Sequence, residues 1–480
     1  MVQIKQLTPC TLSLQFHLES PTDTDAFAGD AVVIRGWMAT DDPGSQWCLE
    51  SDGVTEMYPF SFPPEHVATQ ITQKNGALTP FGFTHSVALN RFHHRTPIRV
   101  GVTRHGLVYW LYAIALPTKP LTGILLGGSN SVILGGFADG LVKHFPGLKN
   151  LAAGASSSLQ NLFELIRHRD LALNADFIVT ESNVNDSVAA KWLKNTPDIL
   201  KNIDWFYHEL SHFHVPTYVL LNPLKRDGSA AESPELMHEV NECHRRNARR
   251  YGYHLIDLEQ RMAGLDHSLM DLMMADPRHP LQIFMYHLAE NLARYVIENR
   301  QRIAPPDAEG LNALQHSVYL FEEFQDQKEH KANARFDEWV LPLSDKIRIP
   351  ERYIGKEAVG IATWSDDYSS AILRNRKKRI IKLFTSFSAF NEFCEPFVAD
   401  AKTTLAPNFK KTESEKSLNT PFCEVKPVAD TKLLGMLFRE GNATLPPGRN
   451  QGEFRMNELI PELHPYIQTI RYYRAKKGWA

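Results

Sequence analysis

The stretch Gly123-Ile124-Leu125-Leu126-Gly127-Gly128-Ser129-Asn130-Ser131 decides the fold. A short apolar run closed by two glycines reads as a strand buried on both faces. The paired glycines let the backbone turn tightly and let a ligand approach it closely. A helix-like segment follows. Ser129 is therefore expected at a strand-to-helix junction, near the positive end of a helix dipole.

Working outward, the same alternation recurs. Strand candidates lie at 176–180, 217–221 and 253–258, with helical patterns between them. One helix is expected after the serines at 156–158, which are good N-caps, and it places Leu159, Leu162, Phe163 and Ile166 on one face. Another starts near Pro280 and carries Leu281, Met285, Leu288, Leu292 and Val296 on one stripe. Strands alternating with helices predict a parallel sheet covered on both faces. Residues 1–116 read differently. Runs at 31–37, 98–102 and 107–115 are rich in Val, Ile, Tyr and Trp, and turn residues separate them, which predicts a β-sandwich. Proline-bearing linkers are expected at 116–122 (LPTKPLT) and around 299–310 (IAPPDAEG), and beyond the second the chain reads as β-rich, with polar loops near 403–420. The expected organisation is a β-sandwich at 1–116, an α/β domain at 120–300 and a β-rich domain at 310–480.

With 52 basic and 55 acidic residues, the net charge of -3 gives no support to a nucleic-acid partner. The five cysteines, Cys10, Cys48, Cys243, Cys394 and Cys423, are scattered and odd in number, a pattern unlike a disulfide framework or a zinc ribbon. The N-terminus shows no secretory signal, and the most apolar stretch, near 107–128, is interrupted by Pro117, Lys119 and Pro120. A reduced, cytoplasmic setting without a transmembrane segment is expected, with peripheral membrane association left open.

Open α/β sheets present ligands at the carboxyl ends of their strands. There the chain carries Gly127-Gly128-Ser129, then Gly154, then Asn183-Val184-Asn185-Asp186, and finally Asp276-Pro277-Arg278-His279 ahead of the last helix. In order and spacing these segments resemble the blocks of the SGNH (GDSL-like) hydrolase superfamily over residues 120–300. Gly127-Gly128-Ser129 resembles its nucleophile block, with Gly128 where the family has Asp. Gly154 matches its lone glycine. Asn185 falls on the family's asparagine, with Asn183 in place of a glycine. Asp276 and His279 match its Asp-x-x-His block. The resemblance implies a three-layer parallel-sheet domain and the cleavage or transfer of small acyl groups on sugars and lipids.

The chemistry follows from the residue types as well. A serine hydroxyl is a poor nucleophile at neutral pH and needs a base. His279 is the candidate base, and Asp276 is placed to hold its tautomer. The N–H groups of Ser129 and Gly154 and the Asn185 amide are candidate oxyanion donors. Each has a plainer reading: Ser129 as a helix cap, Asn185 as a turn residue, Asp276 and His279 as a loop-to-helix cap, Gly154 as a packing glycine.

His208-Glu209-Leu210-Ser211-His212 spells a zinc-binding pattern. It lies, however, in an apolar helical pattern ended by Val215-Pro216, with no third ligand at a recognised spacing. No metal and no bound cofactor are expected. The basic run Arg374-Asn375-Arg376-Lys377-Lys378-Arg379 and the tail from Arg471 to Trp479 read as solvated surface, or as sites for an anionic partner. His93-His94 reads as structural. The expected function is O-acetyl transfer onto a capsular-type polysaccharide through an acyl-Ser129 intermediate, with acetyl-CoA as co-substrate. The alternatives are a carbohydrate O-acetyl esterase and a catalytically inactive glycan-binding protein.

Overall fold

The computed structural model describes residues 3–7, 14–20, 31–42, 44–51, 54–60, 78–88, 98–115, 121–193, 195–225, 234–299, 314–333, 336–364, 366–384, 389–409, 427–441, 444–445 and 454–477. His93-His94, Cys10, Cys423, the stretch 303–310 and most of the linker at 116–122 lie outside them, as do most of the polar loops at 403–420 and the last residues of the tail. They divide into two compact units, Met1–Pro120 and Leu121–Ala480.

In the first unit, alternating apolar residues make two antiparallel sheets. One runs in the order Gln3–Gln6, Leu107–Ala115, Ile98–Arg104, Trp47–Ser51, Val54–Tyr58, and the other in the order Leu14–Ser20, Ala31–Thr40, Thr79–Ala88. Leu14, Phe16, Ile34 and Met38 of one sheet share a core with Trp47, Val100, Val102 and Ile114 of the other. Every second residue faces inward, as pleating requires.

The second unit is built on a parallel sheet. Its order is Lys149–Asn150, Gly123–Leu126, Phe177–Thr180, Thr217–Leu221, His254–Asp257, Phe454–Arg455. All four residues of Gly123–Leu126 are buried, because helices cover both faces. Leu159, Leu162, Ile203, Phe206 and Val240 fill one face. Phe137, Leu141, Met285, Leu288 and Leu292 fill the other. From Gly123–Leu126 the chain adds Lys149–Asn150 on one side and then Phe177–Thr180 on the other. Ligand crevices open outside the carboxyl ends of strands at such a switch.

The serines expected to cap the helix Ser158–Arg167 do not do so: Ser157 makes no side-chain cap bond. Asp186 supplies the cap instead, accepting from the Ser158 N–H at 2.9 Å and from its hydroxyl at 2.7 Å. A carboxylate satisfies these orphan donors and also complements the helix dipole.

Beyond residue 314 the chain forms two further antiparallel sheets. In the larger, Asp337–Pro342, Lys432–Arg439, Glu357–Trp364 and Ala389–Val398 lie side by side; the smaller runs Ile347–Arg348, Thr404–Pro407, Ser369–Arg374, Arg379–Phe384. Tyr319, Ile361, Met436, Leu373 and Leu405 belong to one core between them. Val359, Ala362, Phe390 and Leu437 on the larger sheet pack instead among the helices of the parallel layer. Not all of the C-terminal region is β. Phe454–Arg455 pairs with His254–Asp257, and the helix Leu463–Lys477 buries Ile467 against the parallel layer. No described helix is long and apolar enough to cross a membrane.

Candidate active site

Ser129 opens a single 3-10 turn, Ser129–Ser131, directly after the strand Gly123–Leu126. The first N–H groups of such a turn have no partner within it. Gly127 is required here, since a Cβ on it would lie 2.6 Å from Ser131 Oγ and 2.9 Å from Glu181 Oε1. Asp276 and His279 form a tight two-stranded hairpin, Met274–Asp276 with His279–Pro280, just before the helix Gln282–Asn299. The Asn130 amide donates to the Arg278 carbonyl at 3.3 Å, and the Lys225 N–H donates to the Pro277 carbonyl at 2.8 Å. These bonds tie the hairpin to the nucleophile turn and to the loop after Thr217–Leu221.

The result is a continuous relay. Ser129 Oγ lies 2.6 Å from His279 Nε2. His279 Nδ1 lies 2.6 Å from Asp276 Oδ2 and 2.8 Å from Oδ1. The Arg278 and His279 N–H groups also donate to Asp276 Oδ1, at 2.8 and 3.1 Å. Burial alone would raise the Asp276 carboxyl, but the Arg278 N–H and the His279 ring outweigh it and hold it below its ordinary range. An ionised Asp276 fixes the proton on Nδ1 and leaves Nε2 free to take the serine proton.

The expected oxyanion donors lie around the same turn. The Ala153 N–H donates to the Gly127 carbonyl at 3.0 Å, which brings Gly154 alongside the turn. Gly154 is exposed, with open space where a Cβ would stand. Its neighbour Ala155 takes the left-handed conformation, φ 58°, a strained state for a residue with a side chain. Asn185, at the start of the helix Asn183–Leu193, donates Nδ2 to the Ser156 carbonyl at 2.9 Å. A primary amide has a second N–H.

Sequence reasoning passed over Glu181. It is buried at the end of Phe177–Thr180 and accepts from the Gly128 N–H at 2.8 Å and from Ser131 Oγ at 3.0 Å. Asn222 Nδ2 lies 3.4 Å from its other oxygen. Burial pushes Glu181 up to about 7, against the pull of these donors. It thus braces the residues on both sides of Ser129. A lone carboxylate straight after an apolar strand was the available signal. Asn183 stands where a glycine was expected and explains itself. Its side chain accepts from the Asn222 N–H at 3.0 Å and donates to the Asn222 carbonyl at 2.8 Å, clamping the neighbouring strand end.

The acidic residue of the zinc-like pattern has partners of its own. Glu209 is fully buried and accepts from the Gln315 N–H at 2.8 Å and from His316 Nδ1 at 2.7 Å.

No family model matches the sequence, and no curated protein matches it. Solved structures do. Among them are an alpha/beta hydrolase, lipases, GDSL-family proteins and acetylxylan esterases. The chain is similar to an acylhydrolase described as putative from Bacteroides fragilis NCTC 9343, at 19% identity over 38% of this chain and 89% of that one, TM-score 0.29. It is similar to a GDSL-like lipase from Bacteroides thetaiotaomicron VPI-5482, at 15% identity over 38% and 91%, TM-score 0.29. It is also similar to an acetylxylan esterase from Geobacillus stearothermophilus, at 11% identity over 38% and 96%, TM-score 0.29.

Proposed function

We propose that this protein is a serine-dependent acyl hydrolase that removes small acyl groups, acetyl above all, from a carbohydrate. The observation that carries the serine-dependent chemistry is the relay Ser129 Oγ–His279 Nε2 at 2.6 Å and His279 Nδ1–Asp276 Oδ2 at 2.6 Å. His279 takes the Ser129 proton as Oγ attacks the ester carbonyl. The tetrahedral oxyanion forms beside the Ser129 N–H, Gly154 and the Asn185 amide. Its collapse expels the sugar alkoxide, which receives the proton from His279. Water, deprotonated by His279, then attacks the acyl-Ser129 ester, and collapse of the second tetrahedral intermediate releases the acid as His279 returns the proton to Ser129 Oγ.

Water as the second acceptor is favoured by exposure. The Asp276 side chain is half exposed and that of His279 one-fifth exposed. Transfer to another alcohol needs water kept out. The polysaccharide O-acetyltransferase using acetyl-CoA is therefore the second reading.

The test is turnover of p-nitrophenyl acetate by wild type and by Ser129→Ala, with and without an oligosaccharide acceptor. Turnover lost in the variant and indifferent to acceptor supports the hydrolase. Acceleration by acceptor, with an acetylated product, supports transfer. Equal turnover in both proteins refutes the assignment of Ser129.

A further inference from the structure

The basic run at 374–379 forms part of a larger surface that only the sheet register reveals. In the four-stranded sheet, Arg348 stands opposite Thr404, Thr404 opposite Arg374, and Arg374 opposite Arg379. Residues directly opposite one another in antiparallel strands point to the same face. All three arginines are exposed, while their chain neighbours Ile347, Leu373, Ile380 and Leu405 are buried on the other face. With strands about 4.8 Å apart, the rung is about 14 Å long.

More cations gather at the same end. Arg376 and Lys377 lie in the turn between Ser369–Arg374 and Arg379–Phe384, and Lys402 just precedes Thr404–Pro407; all three are exposed. Asp400 lies among them and accepts the N–H groups of Arg376 at 3.1 Å and Lys402 at 2.8 Å. Lys378 is neutralised by Glu395. Arg348, Arg374 and Arg379 have no such partner among the described residues. The next rung on the same face is Ala406, Ile372 and Ile381, all half-buried.

We infer that this sheet face binds a linear acidic polysaccharide, with the carboxylates of successive uronate residues lying along the arginine rung. A guanidinium pairs with a carboxylate through two parallel hydrogen bonds, which favours arginine over lysine in such a row. The aliphatic rung beside it suits the C–H faces of sugar rings. A nucleic acid fits less well, because the chain as a whole is slightly acidic and the two rungs carry no aromatic ring for base stacking. This binding does not involve Ser129, so it goes beyond the acyl-hydrolase reading and stands or falls apart from it.

Isothermal titration of the full chain with oligogalacturonate tests the inference, with a neutral oligosaccharide of equal length, a DNA duplex and anionic vesicles as comparisons. Wild type and Ser129→Ala should bind oligogalacturonate equally, and more weakly as salt rises. Binding should fall about tenfold or more in the double variant Arg374→Gln/Arg379→Gln, and less in Arg348→Gln. These positions are exposed, so melting temperature and p-nitrophenyl acetate turnover should stay at the wild-type level. The inference is overturned if the double variant binds as wild type does, or if wild type fails to bind at low salt. Equal binding of the neutral oligosaccharide, or tighter binding of DNA or vesicles, overturns it as well.

Discussion

Asn185 Nδ2 lies 2.1 Å from the point a Cβ on residue 128 would occupy. Glycine at 128 and asparagine at 185 are therefore one feature. The Asn185 amide can lie against the nucleophile turn only because residue 128 has no side chain, and the Ser156 carbonyl holds it there at 2.9 Å. Gly128→Ala should displace that amide without unfolding the chain. Losing one oxyanion donor costs about 2.7–4 kcal/mol, or about 100- to 1000-fold in kcat. Asn185→Ala should cost the same, and the double variant no more than either single one, since both remove one interaction. Steady-state kinetics on p-nitrophenyl acetate read this directly. A Gly128→Ala enzyme with wild-type kcat would show that the amide plays no part in the oxyanion site.

The acid of the relay acts by orientation. In Asp276→Asn the side-chain amide cannot accept the Nδ1 proton as a carboxylate does, so the ring is left in the wrong tautomer. A drop in kcat of about four orders of magnitude is expected, from the size of this effect in other serine triads. His279→Ala should be at least as damaging. Adding Ser129→Ala to either should lower the rate little further, because the three groups act as a unit. Losses that multiply in the double variants would mean that the relay is not the working unit.

Glu181 gives a pH signature. Burial raises it to about 7 from an ordinary value near 4.5. The folded chain then holds this proton more tightly than the unfolded chain does. Its contribution to stability is fully present below about 4.5 and is lost as pH rises through about 7, an effect of about 3 kcal/mol at most. Glu181→Gln should remove this dependence. The Gln carbonyl still accepts from the Gly128 N–H and the Ser131 hydroxyl, and a flip of the Asn222 amide turns its Oδ1, unpartnered among the described residues, toward the new NH2 group in place of Nδ2. Glu181→Ala should leave three donors, the Gly128 N–H, the Ser131 hydroxyl and the Asn222 amide, without this acceptor at about 1–3 kcal/mol for each one left unmatched, and lower kcat by loosening the turn. Denaturant titrations of wild type and Glu181→Gln between pH 5 and 8 would decide it; parallel curves would show that Glu181 does not titrate there.

The parallel sheet could be read because its strands are short apolar runs closed by turn residues, and because the helix Gln282–Asn299 buries one clean stripe, Met285, Leu288, Leu292 and Val296. The residues of the relay could be read because each follows a strand or precedes a helix. Phe454–Arg455 could not be read as an edge strand, since two residues carry no period. Glu181 was missed for a related reason. It sits one residue past Phe177–Thr180 and matters through Gly128, more than 50 positions away. The cap on Ser158–Arg167 comes from Asp186, 28 positions beyond the local pattern that made the serines attractive. The arginine rung needs the pairing of four strands, and only its hairpin portion stands out as a run of charge.

The zinc-like pattern supplies the last prediction. Glu209 is oriented toward Gln315 and His316, where the chain enters its C-terminal sheets, and the His316 side chain is as buried as its partner. Glu209→Ala should leave the Gln315 N–H and the His316 ring without their acceptor. At about 1–3 kcal/mol for each buried group left unmatched, unfolding should shift to clearly lower denaturant. The residual kcat per folded molecule should stay near wild type, because Glu209 takes no part in the relay. Prolonged treatment with a strong chelator should change neither the turnover nor the melting temperature of wild type. A chelator-sensitive turnover, restored by zinc and abolished in Glu209→Ala, would give the motif back its metal and move the chemistry away from Ser129.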